Sequence, residues 1–391
     1  MVEIGLDRLI NNESLQNLCP GKIAYLGHSA ALTSKLELGL SAVKKIFSER
    51  LIKVFGPQHG FVTDVQDNMV ETESYHHPYF DLPLYSLYGE HRRPTNEMLE
   101  GVDTLIIDLQ DVGTRVYTYI TTLSYCMEKC EELGIKVVVL DRPNPVGGEL
   151  IEGPVLQKEW RSFVGHHPIP QRHSLTIGEV AKLQQKIHSP RCELEVITMN
   201  EWKRSHHWRD TGLTWVNPSP NLATPESALT FCGTVLYEGT NISEGRGTTR
   251  SLEVLGAHGL EPFSFTDLVK EELKDLPLGD YTLRPLQFFP MFQKFKGEAC
   301  GGFHIHPTNP ANFQSWMLGA YLLKLFHKHT DFEWNQKTYE YEEGFAINYI
   351  NGGDELKNWV EKQGSFEELT HLSQFGHDEF RNLREDILIY S

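Results

Sequence analysis

The segment between residues 108 and 119 carries a carboxylate, a guanidinium and phenol rings at close spacing. Asp111 is either a catalytic carboxylate or a helix cap, and capping is the commoner use of Asp at the start of a helix. Arg115 offers a planar fork that can bind a carboxylate at two points. Tyr117 and Tyr119 are either surfaces for a sugar ring or half-buried packing residues. Backbone N–H groups where a strand joins a helix would also favour an anionic ligand.

A second polar segment, Asp141-Arg142-Pro143-Asn144-Pro145, is held extended by its two prolines. In one interpretation Arg142 and Asn144 form fixed hydrogen bonds to ligand hydroxyls. In the other, Asp141 and Arg142 form an internal pair that braces the turn. The sequence favours neither interpretation over the other.

A third segment, residues 238–249, places three glycines among hydroxyl and charged side chains, so its backbone can approach a ligand closely. It lacks the Lys-Ser/Thr ending of a phosphate-binding loop, and no G-x-G-x-x-G follows a strand in this chain. We therefore predict a polar loop between two domains that contacts a sugar rather than a phosphate.

Histidine and cysteine are present in a pattern that does not indicate a metal site. Six of the histidines form three adjacent pairs, His76-His77, His166-His167 and His206-His207. Adjacent side chains rarely converge on one metal, so we predict that most of the histidines are solvated. The six cysteines lack the paired short spacings of zinc motifs, apart from Cys126 and Cys130 on a predicted helix. We predict reduced thiols and no bound metal.

The charge of the chain restricts its partners. With 53 acidic and 36 basic residues, the formal net charge is −17, which repels nucleic acid and anionic lipid surfaces. Anionic polymers are repelled as well, so small soluble ligands suit this surface better. The amino-terminal residues lack the features of a secretory signal, and no apolar run is long enough to span a membrane. These features predict a cytoplasmic protein that binds neither nucleic acid nor membrane.

The elements that must position these residues follow a strand–helix alternation. Four short apolar runs predict buried parallel strands, at Lys22–Leu26, Leu51–Phe55, Thr104–Leu109 and Lys136–Leu140. Helical spacing of apolar residues predicts helices at Leu36–Glu49, Tyr117–Leu133 and Thr176–Ile187, the last with a capping box formed by Thr176 and Glu179. In such sheets ligands bind beyond the carboxyl ends of the strands, where the polar segments lie.

The pattern changes after about residue 231. Further predicted elements are strands at Leu194–Thr198 and Gly302–His306 and helices at Phe313–His327 and Asp378–Ile387. We predict an α/β fold with a Rossmann-like parallel-sheet domain at residues 1–231 and a smaller mixed α+β domain at residues 232–391. The loop around Pro218 and Pro220 cannot be regular structure and should lie at a rim.

The order of these motifs, rather than any one of them, strongly resembles the NamZ-like exo-β-N-acetylmuramidase family. The resemblance extends from about residue 20 to the carboxyl terminus and rests on residues 56–61, 82–89, 110–119, 141–145, 219–221 and 238–248. It implies a Rossmann-like catalytic domain, a smaller carboxyl-terminal domain, an active site in the cleft between them, and no cofactor.

One position departs from the family pattern. Family members usually carry Glu in a Glu-His-Gly motif that is thought to be catalytic, and this chain has Gln58 before His59-Gly60. An amide cannot transfer a proton as a carboxyl group does, and glycoside hydrolysis normally uses two carboxyl groups. Nearby candidates are Asp64, Asp67, Glu71 and Glu73. We predict Glu71 and Asp111 as the catalytic carboxylates, with Glu238 as the reserve candidate.

The resemblance also implies a substrate with a lactyl carboxylate, N-acetylmuramic acid, which requires at least one arginine. The predicted substrate-binding residues are Gln58, His59, Gln110, Arg115, Tyr117, Tyr119, Arg142, Asn144, Asn221, Asn241 and Arg246. The predicted activity is removal of terminal β-linked N-acetylmuramic acid from small peptidoglycan fragments. The alternatives are a non-catalytic glycan-binding protein of the same fold, favoured by Gln58, and a glycosidase for another sugar.

Overall fold

The computed structural model describes residues 1–64, 66, 70–336 and 342–391. Its strands are β1 (Ile23–Leu26), β2 (Leu51–Gly56), β3 (Tyr75–His77), β4 (Leu82–Ser86), β5 (Thr104–Ile107), β6 (Lys136–Leu140), β7 (Leu194–Ile197), β8 (Val254–His258), β9 (Tyr281–Phe288) and β10 (Cys300–Pro307). The helices before the second sheet are α1 (Gly5–Asn11), α2 (Glu13–Gln16), α3 (Gly39–Phe47), α4 (Asn96–Leu99), α5 (Tyr119–Leu133), α6 (Ile177–Ile187) and α7 (Pro225–Thr234). The remaining helices are α8 (Pro262–Leu273), α9 (Ser315–His329), α10 (Ala346–Asn351), α11 (Glu355–Glu361), α12 (Phe366–Ser373) and α13 (His377–Glu385).

The larger sheet has seven strands in the order β3-β4-β2-β1-β5-β6-β7. All neighbours are parallel except β3, which runs antiparallel to β4. The chain adds β2 on one side of β1 and later β5 on the other, so the strand order reverses between β1 and β5. In sheets of this kind such a reversal opens a crevice beyond the carboxyl ends of the strands.

Side chains of the central strands alternate between the two faces of this sheet. Leu105 and Ile107 pack in the same buried cluster as residues of α5 and α6, whereas Ile106 packs with residues of α1 and α3. Helices on both faces explain why these strands are continuous apolar runs in the sequence.

The predicted elements agree closely with the observed ones. β6 has the predicted bounds, and β1, β2, β5, β7, β10, α5 and α9 differ from prediction by a few residues at their ends. The predicted capping box of α6 is confirmed, because Thr176 accepts from the Glu179 N–H and Glu179 accepts from the Thr176 N–H. All six cysteines are buried free thiols. Among the described residues, no helix combines the length and the apolar character needed to cross a bilayer.

A smaller antiparallel sheet, β8-β10-β9, completes the predicted α/β architecture. One of its faces joins the same apolar cluster as the larger sheet, through Leu255, Leu283 and Phe303. The predicted domain boundary at residues 231 and 232 falls inside α7, which packs against α9.

The contact between α7 and α9 depends on two glycines. A Cβ atom added to Gly233 would lie 2.0 Å from the Ser315 carbonyl oxygen, and one added to Gly319 would lie 2.5 Å from the Gly233 carbonyl oxygen. The two helix backbones therefore touch directly, and no side chain fits between them.

We expect Gly233→Ala to lower the free energy of unfolding by about 1–3 kcal/mol, because the added methyl group overpacks this contact. Chemical denaturation measures the change. The matched control is Lys328→Ala on the solvent side of α9, which removes only a surface ion pair to Glu272. That control should cost at most about 1 kcal/mol. Equal stability of Gly233→Ala and the unsubstituted protein would show that the helices can separate without cost.

Candidate active site

A narrow cavity of about 40 Å³ lies beyond the carboxyl ends of the larger sheet and opens between the loops that follow its strands. This volume holds a few water molecules. Residues from both halves of the chain line it: Gln58, His59, Val116, Tyr117, Thr118, Val164, Ser219, Leu222, Phe231, Val235, Glu238, Arg246 and Leu252. Five of the predicted site residues are in this wall, namely Gln58, His59, Tyr117, Glu238 and Arg246.

The turn after β2 brings Gln58 and His59 to the cavity. His59 and Gly60 both have positive φ, 69° and 76°, so the chain turns sharply directly after the strand. Gln58 is buried, and its side-chain oxygen accepts a hydrogen bond of 2.6 Å from the Thr118 hydroxyl. Thr118, at the start of α5, was not predicted as a site residue, although it lies inside a segment that was.

Glu238 and Arg246, also in the cavity wall, form a buried ion pair in which the Arg246 guanidinium donates to the Glu238 carboxylate. Arg246 also lies 3.1 Å from Glu244, which in turn accepts from the Lys294 ammonium at 2.7 Å. Burial by itself would raise the pKa of Glu244, but Lys294 and Arg246 hold that pKa below its ordinary value. The charges of the two carboxylates, Glu238 and Glu244, are thus balanced by those of Arg246 and Lys294.

The loop that contains this pair bends at glycines with positive φ, Gly245 at 77° and Gly247 at 84°. A Cβ atom on Gly247 would lie 2.8 Å from the backbone nitrogen atoms of Met291 and Phe292. The glycine-rich composition therefore fits the loop closely against its neighbours. Lys294, which supports it, has no motif of its own and was not predicted.

Tyr117 and Tyr119 anchor the proline loop, which is the loop around Pro218 and Pro220. The hydroxyls of Tyr117 and Tyr119 donate to the Pro218 carbonyl at 2.8 Å and 2.9 Å, and their ring centroids lie 4.5 Å apart. Tyr117 lines the cavity, whereas Tyr119 is fully buried behind it. The loop predicted to lie at a rim therefore supplies Ser219 to the cavity wall.

Arg115 lies outside the cavity, in the interior. Its side chain is fully buried, and its two terminal nitrogens donate to four backbone carbonyls, those of Pro154, Ile169, Ile350 and Asn351. Burial lowers the pKa of the guanidinium to about 9. This geometry corrects the prediction of a carboxylate-binding arginine, because the fork is already used to join distant parts of the chain.

Arg142 is also committed to an internal partner. Its Nε donates to Asp108 at 2.5 Å, and its Nη2 donates to the Leu32 carbonyl at 3.0 Å. Asp141 accepts from the backbone N–H of Arg142 and from the hydroxyls of Thr176 and Tyr390, whereas the Arg142 guanidinium is directed to Asp108 and Leu32. Arg142 therefore braces the turn through an internal ion pair, as one of the two interpretations predicted, but its acidic partner is Asp108 rather than Asp141.

Asn144 and Gln110 hold turns together rather than facing the cavity. Asn144 donates to the Leu175 carbonyl and accepts from the Val146 N–H. The Gln110 amide donates to the carbonyls of Asp111 and Pro143, which ties the ends of β5 and β6 together. Neither side chain lines the cavity.

Asp111 is buried beside the cavity and is not a helix cap, since α5 begins only at Tyr119, eight residues later. Its Oδ2 accepts from the Gly113 N–H at 2.8 Å and lies 3.2 Å from His173 Nε2. The carboxylate therefore braces its own turn, which makes it a poor candidate for direct contact with a substrate.

The two predicted asparagines lie in different places. Asn221 is buried under the proline loop and donates to the Gln66 carbonyl at 2.6 Å. Asn241 faces another surface depression, where its amide donates to the Asp331 carbonyl and accepts from the Glu333 N–H.

The described acidic residues after Gln58 are not part of the cavity wall. Asp64, Glu71 and Glu73 are exposed, and Asp67 lies outside the described residues. Within the described ranges, Glu238 is the one carboxylate that lines the cavity. Glu238, the reserve candidate, is therefore better placed than Glu71 or Asp111 to contact a substrate.

Comparisons with known proteins show the family of this chain. Residues 23–226 match the family model described as exo-beta-N-acetylmuramidase NamZ, N-terminal, and residues 229–390 match its C-terminal counterpart. A curated relative, the peptidoglycan beta-N-acetylmuramidase NamZ of Bacillus subtilis (strain 168), is 38% identical over 389 residues, which cover 100% of this chain and 91% of the relative.

Crystal structures of two DUF1343 family proteins from Bacteroides fragilis NCTC 9343 have the same fold. Their TM-scores are 0.88 and 0.73 at 26% and 24% identity, and each match covers 100% of this chain and 99% of the other. Because family models match both halves of the chain in order, the protein belongs to the exo-beta-N-acetylmuramidase NamZ family.

Proposed function

We propose that this protein is an exo-acting glycoside hydrolase that removes terminal β-linked N-acetylmuramic acid from peptidoglycan fragments. One observation carries the proposal: His59 and the Glu238–Arg246 pair, from opposite halves of the chain, meet in one cavity. They do so in a chain that aligns over its whole length with a peptidoglycan beta-N-acetylmuramidase.

The roles that we assign follow from position and charge. Glu238 is the carboxylate nearest to the reacting sugar, where it stabilises the positive charge of an oxocarbenium-like transition state. His59 is the second group in the wall that can transfer a proton. Gln58, fixed by Thr118, hydrogen-bonds the substrate. A sugar ring is larger than the narrow cavity, so binding must widen it.

Specificity for the muramyl group is assigned to Arg246. Its guanidinium reaches the cavity wall, whereas those of Arg115 and Arg142 are used by internal carbonyl and carboxylate groups. A guanidinium can bind the planar lactyl carboxylate at two points. Glu238 and Glu244 hold Arg246 from the other side, so it is positioned before the substrate arrives.

We also propose that the chain divides near residue 231 into a Rossmann-like domain and a smaller domain, with the cavity in the cleft between them. The separate seven-stranded and three-stranded sheets and the mixed origin of the cavity wall support this division, with α7 joining the two parts. The net charge of −17 favours small soluble fragments as substrates, as in cytoplasmic peptidoglycan recycling.

A second candidate, glycan binding without hydrolysis, is favoured by Gln58 at the position of the family glutamate. The two functions are separated by incubating the protein with a chromogenic β-N-acetylmuramide and by measuring thermal shifts with free N-acetylmuramic acid. Turnover supports the hydrolase. A thermal shift without turnover supports the binding protein.

We expect Gln58→Glu to raise kcat on the chromogenic muramide, by up to the 10²–10⁴-fold that general acid–base groups typically contribute. The new carboxylate can accept the same hydrogen bond from Thr118. Gln58→Met, of similar size but without a carboxyl group, is the control and should not gain activity. If Gln58→Glu is no faster than the unsubstituted protein, the proton is supplied from elsewhere.

We expect Glu238→Gln to lower kcat by about 10²-fold or more while free N-acetylmuramic acid still raises the melting temperature. The surface substitution Glu271→Gln on α8 is the matched control. The sequence-based assignment makes a different prediction, that Glu71→Gln is the more damaging change. Steady-state kinetics of Glu238→Gln, Glu71→Gln and Glu271→Gln distinguishes the two assignments. Full activity of Glu238→Gln would remove Glu238 from the mechanism.

We expect Arg246→Lys to raise KM for the muramide about tenfold, because one charge-assisted hydrogen bond to the lactyl carboxylate contributes roughly 1.5 kcal/mol. The chromogenic β-N-acetylglucosaminide, which lacks the lactyl group, is the control substrate. Its weaker turnover should be unaffected. Equal losses on both substrates would indicate that Arg246 acts only by holding Glu238.

A further inference from the structure

Three histidines converge at a place away from the cavity. His166 and His167 lie in the loop that precedes α6, and His188 directly follows α6. One ligand atom of each lies within 4.8 Å of the others. The rings of His166 and His167 are nearly perpendicular, at 79°, and their centroids lie 5.1 Å and 5.9 Å from that of His188. The expectation that an adjacent pair does not converge is therefore wrong for this pair.

The hydrogen bonds of His167 determine which of its nitrogens carries a lone pair. Ser124 Oγ donates its proton to the Ile120 carbonyl at 2.8 Å and lies 2.7 Å from His167 Nε2. A hydroxyl has one proton, so Nε2 carries hydrogen and donates to Ser124. Nδ1 of His167 is left with a lone pair, fully buried and with no hydrogen-bond partner among the described residues.

His166 is oriented by a carboxylate in the same way. Its Nε2 lies 3.1 Å from Glu128 Oε1, which can only accept, so the lone pair is again on Nδ1. Glu128 is on α5, four residues after Ser124, so one face of this helix orients both rings. A carboxylate behind an imidazole is a frequent feature of metal sites because it fixes the ring and raises its basicity.

A positive group already occupies the third ring. The Arg161 guanidinium lies 2.5 Å from His188 Nε2, and since arginine only donates, this nitrogen carries the lone pair. Arg161 is exposed and also donates from Nε to the His166 carbonyl at 2.9 Å, so its departure breaks surface contacts and leaves the core undisturbed. His188 also caps the carboxyl end of α6, where the helix dipole favours a cation.

His167 is fully buried and His188 is half-buried. Burial keeps the pKa of His167 well below its ordinary value. Burial and then the Arg161 charge lower the pKa of His188 to about 4. Neutral imidazoles are the form that binds metal ions.

We propose that His166, His167 and His188 form a binding site for a divalent ion of the zinc class, with water as the fourth ligand. Three imidazole nitrogens and an open position are a known tetrahedral zinc arrangement. Nitrogens bound tetrahedrally to one zinc at about 2.0–2.1 Å are roughly 3.4 Å apart, so the rings must draw together on binding. The ion replaces the Arg161 guanidinium at His188.

The ion would act on structure rather than on the reaction. None of the three histidines lines the cavity, but Val164, two residues before His166, does. A bound ion would join this loop to α5 and α6 and so hold Val164 in the cavity wall. The proposal does not depend on the proposed hydrolase activity, and its test does not use a substrate.

The test is a titration of the chelator-treated full chain with zinc sulfate, followed by isothermal calorimetry and thermal unfolding. We expect one ion per chain and a rise in melting temperature that a chelator reverses. His188→Gln, at a half-buried position, should weaken binding about 10–100-fold or more. Its melting temperature without zinc shows whether the variant is folded. His371→Gln, at an exposed position on α12, is the control for unspecific binding to surface histidines.

Arg161→Gln provides the sharper test, because the proposal predicts a gain. Removing the competing guanidinium and its charge should tighten zinc binding several-fold, whereas loss of a merely structural contact would leave the affinity unchanged. Cobalt titration gives a spectroscopic measure, with tetrahedral absorption bands expected in the unsubstituted chain and absent in His188→Gln. Absence of binding at millimolar zinc, unchanged binding in His188→Gln, or unchanged or weaker binding in Arg161→Gln would overturn the proposal.

Discussion

Charged groups at the carboxyl ends of the parallel strands are buried, and each therefore needs a partner inside the protein. The Asp108–Arg142 ion pair is the centre of this arrangement: Asp108 also accepts from the Tyr25 hydroxyl, and Arg142 reaches the loop after β1. Removing one member of such a pair would leave an uncompensated charge in the interior, which typically costs about 3–5 kcal/mol. The loops after β1, β5 and β6 are held in place by this requirement.

The same requirement separates framework from site. Arg115, Arg142, Asn144 and Gln110 have the chemistry of ligand-binding residues, yet their donors are directed to internal carbonyl and carboxylate groups. What remains for a ligand is the smaller set that lines the cavity, in which Glu238 and Arg246 face the turn containing Gln58 and His59. Several residues of the family motifs therefore hold the walls of the crevice in place, and only some of them can contact a ligand.

Among the described residues, the three-histidine cluster has a buried nitrogen without a hydrogen-bond partner, as is also true of Gln110 Oε1 and Arg115 Nε in the framework. His167 Nδ1 has neither a protein partner in the described part of the chain nor contact with solvent. Leaving a buried acceptor without a partner is costly, and at this nitrogen a bound ion would remove the cost. The neighbouring His166 lies two residues after Val164, which lines the cavity. An ion bound at the three histidines would therefore hold this part of the cavity wall in place.

Local periodicity and turn chemistry were enough to predict the α/β class, most strand and helix positions and the capping box of α6. The order of the motifs also indicated the family and several segments that surround the cavity. Which polar side chains face that cavity depends on how distant parts of the chain pack together. Arg115 and Arg246 look alike as residues in polar loops, and they differ because one meets carbonyls from residues 154, 169, 350 and 351 while the other meets the cavity. The convergence of His188 with His166 and His167 likewise required the packing of α5 and α6, since local spacing carries no information about contacts between residues far apart in the chain.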